Sequence, residues 1–193
     1  PEQIVQEDID RMIHPLKDLD GISPVNIAKV FSGDNTGFAP CTAEAVMDIL
    51  RLNDIPVAGR RAVIVGRSMV VGRPLAMLFL QENATVTVCH TRTVDLPEIC
   101  RSAQILVAAA GCAKMVDRTY VGEGAIVVDV GINVDENGHL CGDVDFEDIR
   151  EQASMATPVP GGIGSVTTAV LAKRLVNAAL AQARAERETN AGL

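Results

Sequence analysis

The sequence is poor in aromatic residues, in cationic residues and in long apolar runs. Its 193 residues include one Tyr, four Phe and no Trp, but 48% hydrophobic and 22% charged residues are ordinary for a globular protein. The formal net charge of −8 argues against a polyanion-binding surface, so we expect no nucleic-acid partner. No apolar run is long enough to cross a bilayer, and the first residues lack the features of a secretory signal. We therefore expect no membrane partner.

Cysteines and histidines with the spacing of metal ligands are also missing. The five cysteines form no C-x-x-C pair, and several fall in apolar runs typical of a core. The three histidines are scattered along the chain, which argues against a metal site. These absences predict reduced thiols and a cytoplasmic protein. The chain begins with Pro rather than Met, and we expect an amino-terminal part to precede it.

From residue 61 onward, short apolar runs alternate with segments long enough for helices. The runs are RAVIVG, ATVTVCH, QILVAAAG, AIVVDVGIN and SMATPVPG. Continuous apolar strands at this pace are typical of βαβ units and of a parallel sheet covered on both faces. The sequence therefore predicts an α/β fold with a Rossmann-like, doubly wound and mostly parallel sheet. We expect crossover helices over 73–82 and 95–103, and a hairpin that turns at Asn137 and Gly138.

Apolar residues at helical spacing predict two helices before the sheet and one after it. The first covers residues 2–13, and the second opens at PCT and contains Val46, Ile49 and Leu50. The last helix follows TPVPGGIG, with Ser165 as its candidate N-cap. Its predicted apolar stripe consists of Val166, Ala169, Val170, Leu175, Val176, Ala179 and Leu180.

The stretch VIVGRSMVVGRP departs from the dinucleotide-binding pattern, in which a strand enters G-x-G-x-x-G and a helix. Ser68 stands where the second glycine is expected, and Gly72 comes one residue late. Gly66 suits a sharp exit from the strand, and Pro74 suits the first turn of a helix whose free N–H groups would face a phosphate. Two interpretations remain open, a phosphate-binding turn with a Ser68 hydroxyl contact and a plain strand-to-helix connection.

Ligands in open α/β sheets bind beyond the carboxyl ends of the strands. These ends correspond to Gly66–Pro74, His90–Thr93, Ala110–Cys112, Gly131–Asn133 and Thr157–Gly164. Enzymes that prefer NAD usually place an acid after the second strand, but CHTRT has none before Asp95. Arg67 and Arg92 offer positive charge suited to the 2′-phosphate of NADP. Thr91 and Thr93 add hydroxyl groups, although solvated surface arginines are the alternative.

The segment TPVPGGIGSVT allows a close approach of backbone to a flat ligand. Pro158 and Pro160 hold the chain extended, and the following glycines carry no side chain. Spacing alone does not separate this interpretation from a tight structural turn. Asp20 in KDLDGISPVN precedes a glycine and by itself indicates only a turn.

Seven segments occur together in a recognisable order: KDLDGISPVN, PCT, VIVGRSMVVGRP, CHTRT, GAIVVDVGIN, GDVDF and TPVPGGIGSVT. The chain resembles the bifunctional methylenetetrahydrofolate dehydrogenase/methenyltetrahydrofolate cyclohydrolase family over nearly its full length. The resemblance implies oxidation of methylenetetrahydrofolate with NADP, followed by hydrolysis of the methenyl product to formyltetrahydrofolate in one-carbon metabolism. It also implies a folate substrate and a homodimer.

The resemblance further implies roles for individual residues. Asp20 corresponds to the family's catalytic, pterin-binding aspartate. The loop that flanks the folate corresponds to Pro160, Gly161, Gly162 and Ile163. Together with the strand ends, the resemblance gives this cofactor-binding set: Gly66, Arg67, Ser68, Val71, Gly72, Thr91, Arg92, Thr93, Gly111, Gly131 and Ile132.

Three features depart from the family pattern. Ser165 stands where the family commonly has proline, and PCTA stands where it has PCTP. The family's acid/base lysine, four residues after a tyrosine, has no counterpart, because Tyr120 is followed by VGEG. We therefore expect an NADP-binding domain over 41–160, flanked by parts of a partly missing α/β catalytic domain: a remnant with linker over 1–40, and a returning helix with tail over 161–193. Such a chain should bind NADP without cyclohydrolase activity. Its last helix would normally pack on the missing domain, so we expect it to leave apolar surface exposed.

Two rival functions remain at this point. One is another NADP-dependent dehydrogenase of a small metabolite, such as a shikimate- or amino-acid-dehydrogenase-like enzyme. The segment TPVPGG after the last strand argues against it. The other is a non-catalytic NADP-binding module, which the missing lysine leaves open.

Overall fold

A computed structural model describes residue 3 and residues 5–191, and the predicted α/β fold is confirmed there. The helices are α1 (Gln6–Met12), α2 (Pro24–Ser32), α3 (Cys41–Leu52), α4 (Gly72–Gln81), α5 (Leu96–Arg101), α6 (Phe146–Ile149) and α7 (Ile163–Ala191), with a 3₁₀ turn at Pro15–Lys17. The strands are β1 (Arg61–Val65), β2 (Thr85–Cys89), β3 (Ile105–Ala108), β4 (Ile126–Asp129), β5 (Asn133–Val134), β6 (Leu140–Cys141) and β7 (Met155–Ala156). Each of the five apolar runs forms a strand. Residues 2 and 4 of the first predicted helix lie outside the described residues.

The main sheet has the strand order β2-β1-β3-β4-β7, and every neighbouring pair is parallel. The chain leaves β1 in one direction to form β2 and then crosses back to form β3 on the other side of β1. This reversal creates a switch point between the carboxyl ends of β1 and β3, where such folds bind ligands. The strands β5 and β6 form a separate antiparallel hairpin around Gly138, as predicted.

Both faces of the sheet are covered, which explains the continuous apolar strands. Ala62 and Ile64 of β1 belong to a buried cluster with residues of α3 and α4. Val63 and Val65 point to the opposite face and pack in a second cluster with residues of α5 and α6. Phe79 of α4 is fully buried in the first cluster. The sheet is therefore a rigid support for the loops at its carboxyl edge.

The helix α2 was not predicted, although its ends carry ordinary helix signals. The Ser23 hydroxyl accepts a hydrogen bond from the Asn26 amide at 3.3 Å, and Pro24 occupies the first helical turn. Gly33 ends the helix in the left-handed conformation, with φ of 75°. Among the described residues, three α-helices therefore precede the sheet, whereas the sequence pattern predicted two.

The predicted apolar stripe of α7 is mostly exposed, which agrees with the expectation that this helix leaves apolar surface uncovered in this chain. The helix buries Ile163, Val170, Arg174 and Ala178, whereas Leu175, Val176, Leu180, Ala169 and Ala179 are exposed. The inward face includes an arginine because backbone carbonyls of neighbouring segments accept hydrogen bonds from it. Ser165 is not the N-cap, since α7 already begins at Ile163. Among the described residues, no helix is both long and apolar enough to cross a membrane.

Candidate functional site

The turn after β1 is packed tightly against the switch point. Gly66 leaves the strand with φ of 131°, and a Cβ there would collide with the carbonyl of Ala109 at the end of β3. A Cβ on Gly72 would collide with the backbone of Gly66. The two glycines are therefore required by close backbone contacts. The helix α4 begins at Gly72 and carries Pro74 in its first turn, as predicted.

This turn can hold an anion in front of α4. Val71 occupies the N-cap position of α4 without a side-chain cap. The Arg73 amide donates to the Ser68 carbonyl at 3.1 Å and Pro74 has no N–H, so the Gly72 amide is the group that remains for an anion. The Ser68 hydroxyl accepts a hydrogen bond from the Val71 amide at 3.1 Å, which leaves its own proton able to point outward. Arg67 and Ser68 are both exposed. The structure thus combines a hydroxyl, a guanidinium and a helix N-terminus in one turn.

The loop after β2 lies beside this turn. The Thr93 hydroxyl accepts from the His90 amide at 2.9 Å, and the Arg92 amide donates to His90 Nδ1 at 3.1 Å. These bonds fix the backbone while the side chains of Thr91 and Arg92 stay exposed. Arg67 and His90 line the same cavity of about 580 Å³. The predicted cationic residues are therefore on neighbouring strand ends.

The loops after β3 and β4 are joined by a carboxylate that sequence reasoning missed. Asp143 is fully buried, and its Oδ2 accepts from the amides of Ala110 at 2.5 Å and Gly111 at 2.9 Å. Its Oδ1 accepts from the Cys112 amide at 2.8 Å and from Asn133 Nδ2 at 2.9 Å. These four bonds hold two predicted ligand loops together.

A second buried carboxylate, Asp129 at the end of β4, supports the first. It accepts from the amides of Gly131, Asp143 and Val144 at 2.9 to 3.0 Å. Its own amide donates to the Thr157 hydroxyl at 2.8 Å, which connects β4 to the segment after β7. Burial raises the pKa of Asp129, and the charge of Asp143 adds to this rise, while the three N–H groups oppose it. Asp129 and Asp143 lie in GAIVVDVGIN and GDVDF, two segments that carry the family resemblance, but the sequence pattern assigned neither acid a role.

Two of the predicted sets meet in one cavity of about 210 Å³. Gly131 and Ile132 line it on one side, and residues 158–165 line it on the other. Within that second segment, Gly161 has φ of 100°, and a Cβ on Gly162 would collide with the Pro158 carbonyl. The glycines are thus required by the shape of the loop. In the described part of the chain, no cluster of His, Cys, Asp or Glu is placed to hold a metal ion.

Asp20 lies at the start of α3, away from that cavity. Its Oδ1 accepts a hydrogen bond from the Cys41 amide at 3.1 Å, and its side chain is exposed. Arg174 of α7 fixes the backbone on both sides by donating to the carbonyls of Leu19, at 2.9 Å, and Ala39. The start of α3 therefore holds the carboxylate and α7 holds the neighbouring backbone, although the sequence pattern alone indicated only a turn.

The structure does not bring Asp20 to the loop at residues 158–163. Arg174 contacts Cys41 at the start of α3. Gly161 and Gly162 instead lie beside the last turn of α3, near Ile49 and Leu50. Ile163 and Arg174 are separated by about 16 Å along α7, at 1.5 Å per residue. The two predicted folate-binding regions therefore lie near opposite ends of α3.

Comparison with known proteins identifies this arrangement. The family model described as the NAD(P)-binding domain of tetrahydrofolate dehydrogenase/cyclohydrolase matches residues 40–183. A curated relative, the bifunctional protein FolD of Clostridium kluyveri, is 52% identical over 92% of this chain and 63% of its own length. The chain thus spans slightly less than two thirds of the relatives that it matches.

Two solved structures have the same fold. The bifunctional FolD enzyme of Campylobacter jejuni is 43% identical, with a TM-score of 0.92 over 94% of this chain and 64% of that one. The Trypanosoma brucei enzyme, complexed with NADP cofactor and an inhibitor, is 37% identical, with a TM-score of 0.88 over 95% of this chain and 65% of that one. Residues 40–183, which the family model matches, include every strand of the main sheet. The chain belongs to the tetrahydrofolate dehydrogenase/cyclohydrolase family.

Proposed function

We propose that this chain carries the NADP-binding site of an enzyme that oxidises methylenetetrahydrofolate and hydrolyses the methenyl product to formyltetrahydrofolate. The main support is the glycine turn at the switch point, with Arg67 and Ser68 beside the Arg92 loop. Family membership and the NADP complex of the Trypanosoma brucei relative support the same function.

The residues at the switch point fit NADP. Gly66 and Gly72 permit the tight turn that brings the start of α4 to the switch point, and a pyrophosphate would bind there beside the Gly72 amide. Arg67 and Arg92 suit the 2′-phosphate, and no ion pair among the described residues involves either side chain. The absence of an acid after β2 removes the repulsion that would favour NAD. Bound NADP supplies the hydride acceptor, and the chain supplies its orientation.

The folate site is proposed from two separated regions. Asp20 offers a carboxylate that accepts hydrogen bonds from pterin N–H groups, and the Cys41 amide and Arg174 hold it in place. The loop with Pro160 to Ile163 borders the cavity lined by Ile132, which makes it the nicotinamide-facing wall of the site. The spacing of about 16 Å along α7 suits an extended substrate better than a compact one.

The proposal also includes a cytoplasmic location and a homodimeric state. All five cysteines are unpaired, and four of them are buried, as expected for a protein of the reducing cytoplasm. The family resemblance supports a homodimer. Both statements are open to direct measurement, by cell fractionation and by light scattering of the purified chain.

The decisive experiment is reversal of charge at Arg92. Loss of a charged hydrogen bond to phosphate costs about 1.5–3 kcal/mol, so Arg92→Asp should weaken NADP binding by about tenfold to a hundredfold and leave NAD binding nearly unchanged. Both affinities can be measured by calorimetry. Arg60→Asp is the matched control, because Arg60 precedes β1 at the opposite edge of the sheet. An unchanged NADP/NAD ratio in Arg92→Asp would refute the assignment.

A further inference from the structure

The carboxylate of Asp143 occupies a position that resembles an anion-binding nest. Three consecutive backbone N–H groups, from Ala110 to Cys112, converge on it, and Asn133 supplies a fourth donor. Successive N–H groups in such a concavity usually bind phosphate or another external anion. Here the protein's own buried side chain fills the concavity, so the loop has its shape before any ligand binds.

The same carboxylate also determines the course of the loop after β4. A Cβ on Gly131 would collide with the Asp143 carboxyl group, so the backbone of residue 131 packs directly on it. Asn133 then donates to Oδ1 from the other end of that loop. One side chain therefore fixes the relative position of two loops that follow adjacent parallel strands.

The strand order separates these loops from the cationic end of the proposed cofactor site. Arg67 and Arg92 follow β1 and β2, whereas the two loops held by Asp143 follow β3 and β4, beyond the switch point. A dinucleotide with its 2′-phosphate near β2 extends across the switch point toward β4. The part of NADP near β4 is then its nicotinamide half.

We propose that Asp143 is a positioning residue for the nicotinamide half of NADP. The proposal rests on the proposed function and assigns Asp143 no contact with the cofactor. Its carboxylate acts through the backbone of residues 110–112 and 131–133. Asp143→Asn replaces one acceptor oxygen with an NH₂ group, which cannot accept from the N–H groups that now point at it. The two loops then lose their common anchor.

The test compares two ligands on the 193-residue chain, NADP and adenosine 2′,5′-bisphosphate, which lacks the nicotinamide half. For Asp143→Asn we expect the Kd of NADP to rise about tenfold or more and that of the bisphosphate to change by less than about twofold. Asp148→Asn is the control. Asp148 also accepts a backbone N–H, from Arg118 at 2.8 Å, but it lies on α6 outside the two loops. Asp148→Asn should leave the Kd values of NADP and of the bisphosphate unchanged.

Each other outcome overturns the proposal. Equal weakening of both ligands means that Asp143 only maintains the fold, and unchanged NADP binding means that the loops need no anchor. If circular dichroism shows that Asp143→Asn does not fold, Asn133→Ala replaces it, since that change removes one donor and keeps the carboxylate. It should raise the Kd of NADP about threefold without affecting the bisphosphate, and no change refutes the proposal. Failure of the unmodified chain to bind NADP overturns the proposed function as well.

Discussion

Replacement of Arg174 by methionine removes the cation that joins α7 to the segments on either side of α2. The buried guanidinium donates to the carbonyls of Leu19, at 2.9 Å, and Ala39. It lies 3.6 Å from the carboxylate of Glu44 and 5.5 Å from the centre of the Phe38 ring. Methionine keeps much of the apolar stem but none of these polar contacts.

The expected loss of stability follows from the groups left behind. The Ala39 carbonyl loses its donor, and an unsatisfied buried acceptor costs about 1–3 kcal/mol. The Leu19 carbonyl keeps the Cys41 thiol as a donor at 3.3 Å. The contact with the Phe38 ring contributes about 0.5–2 kcal/mol. Methionine carries no charge, so the free-energy cost of burying the guanidinium disappears, and this offsets part of the loss of stability. We therefore expect Arg174→Met to lower the free energy of unfolding by about 2 kcal/mol.

Urea unfolding followed by circular dichroism at neutral pH measures this difference. Arg150→Met is the control, because Arg150 pairs with Glu147 at 3.0 Å on the surface, where such pairs contribute about 0–1 kcal/mol. The loss of unfolding free energy in Arg174→Met should clearly exceed the loss in Arg150→Met. A loss below about 1 kcal/mol for Arg174→Met would show that its carbonyl contacts do not stabilise the native state.

Two further predictions concern protons and thiols. Burial would raise the pKa of Asp18, but hydrogen bonds from Asn26 and Ser23 hold it below its usual value of 3.8. The stability that Asp18 contributes is then complete above that pH and lost as the pH falls through the native pKa, so the unfolding free energies of Asp18→Asn and the unmodified chain should differ at neutral pH and converge in acid. A difference that grows in acid would contradict this. Cys112 is exposed, whereas burial raises the pKa of Cys100 to about 12, so one thiol per native chain should react quickly with an aromatic disulfide, and NADP should protect it. Rapid reaction of several thiols would disprove this.

The strands of the main sheet were predictable because both of its faces are buried. Burial on two sides requires an uninterrupted apolar run, and such runs are visible without any knowledge of partners. The glycine turn was predictable for a similar reason, since Gly66 and Gly72 respond to local backbone crowding. The end signals of α2, a capping serine and a left-handed glycine, were also present in the sequence. The inward face of α2, however, carries the polar Asn26 beside Val30, so the buried positions do not form an apolar stripe.

The functions of Asp143 and Arg174 were not predictable from local sequence. The amides that donate to Asp143 come from residues 31 to 33 positions earlier, and no periodicity records such a contact. Arginine is usually a surface residue, so its presence on the buried face of α7 contradicted the simple hydrophobic pattern. The sequence predicted an apolar face on α7, but not which face packs on this chain, because a polar residue with long-range partners determines that.

The two ends of the α7 segment between Ile163 and Arg174 are coupled by helical phase. Ile163 must face the core where the glycine-rich loop ends, and Arg174 must face the backbone around Asp20. A single inserted or deleted residue between them turns one end by about 100° relative to the other and shifts it by about 1.5 Å. Such a change cannot keep both ends in place. The number of residues between Ile163 and Arg174 is therefore fixed by the helix geometry. Substitutions on the outer face of this segment should be tolerated far more readily than an insertion or a deletion within it.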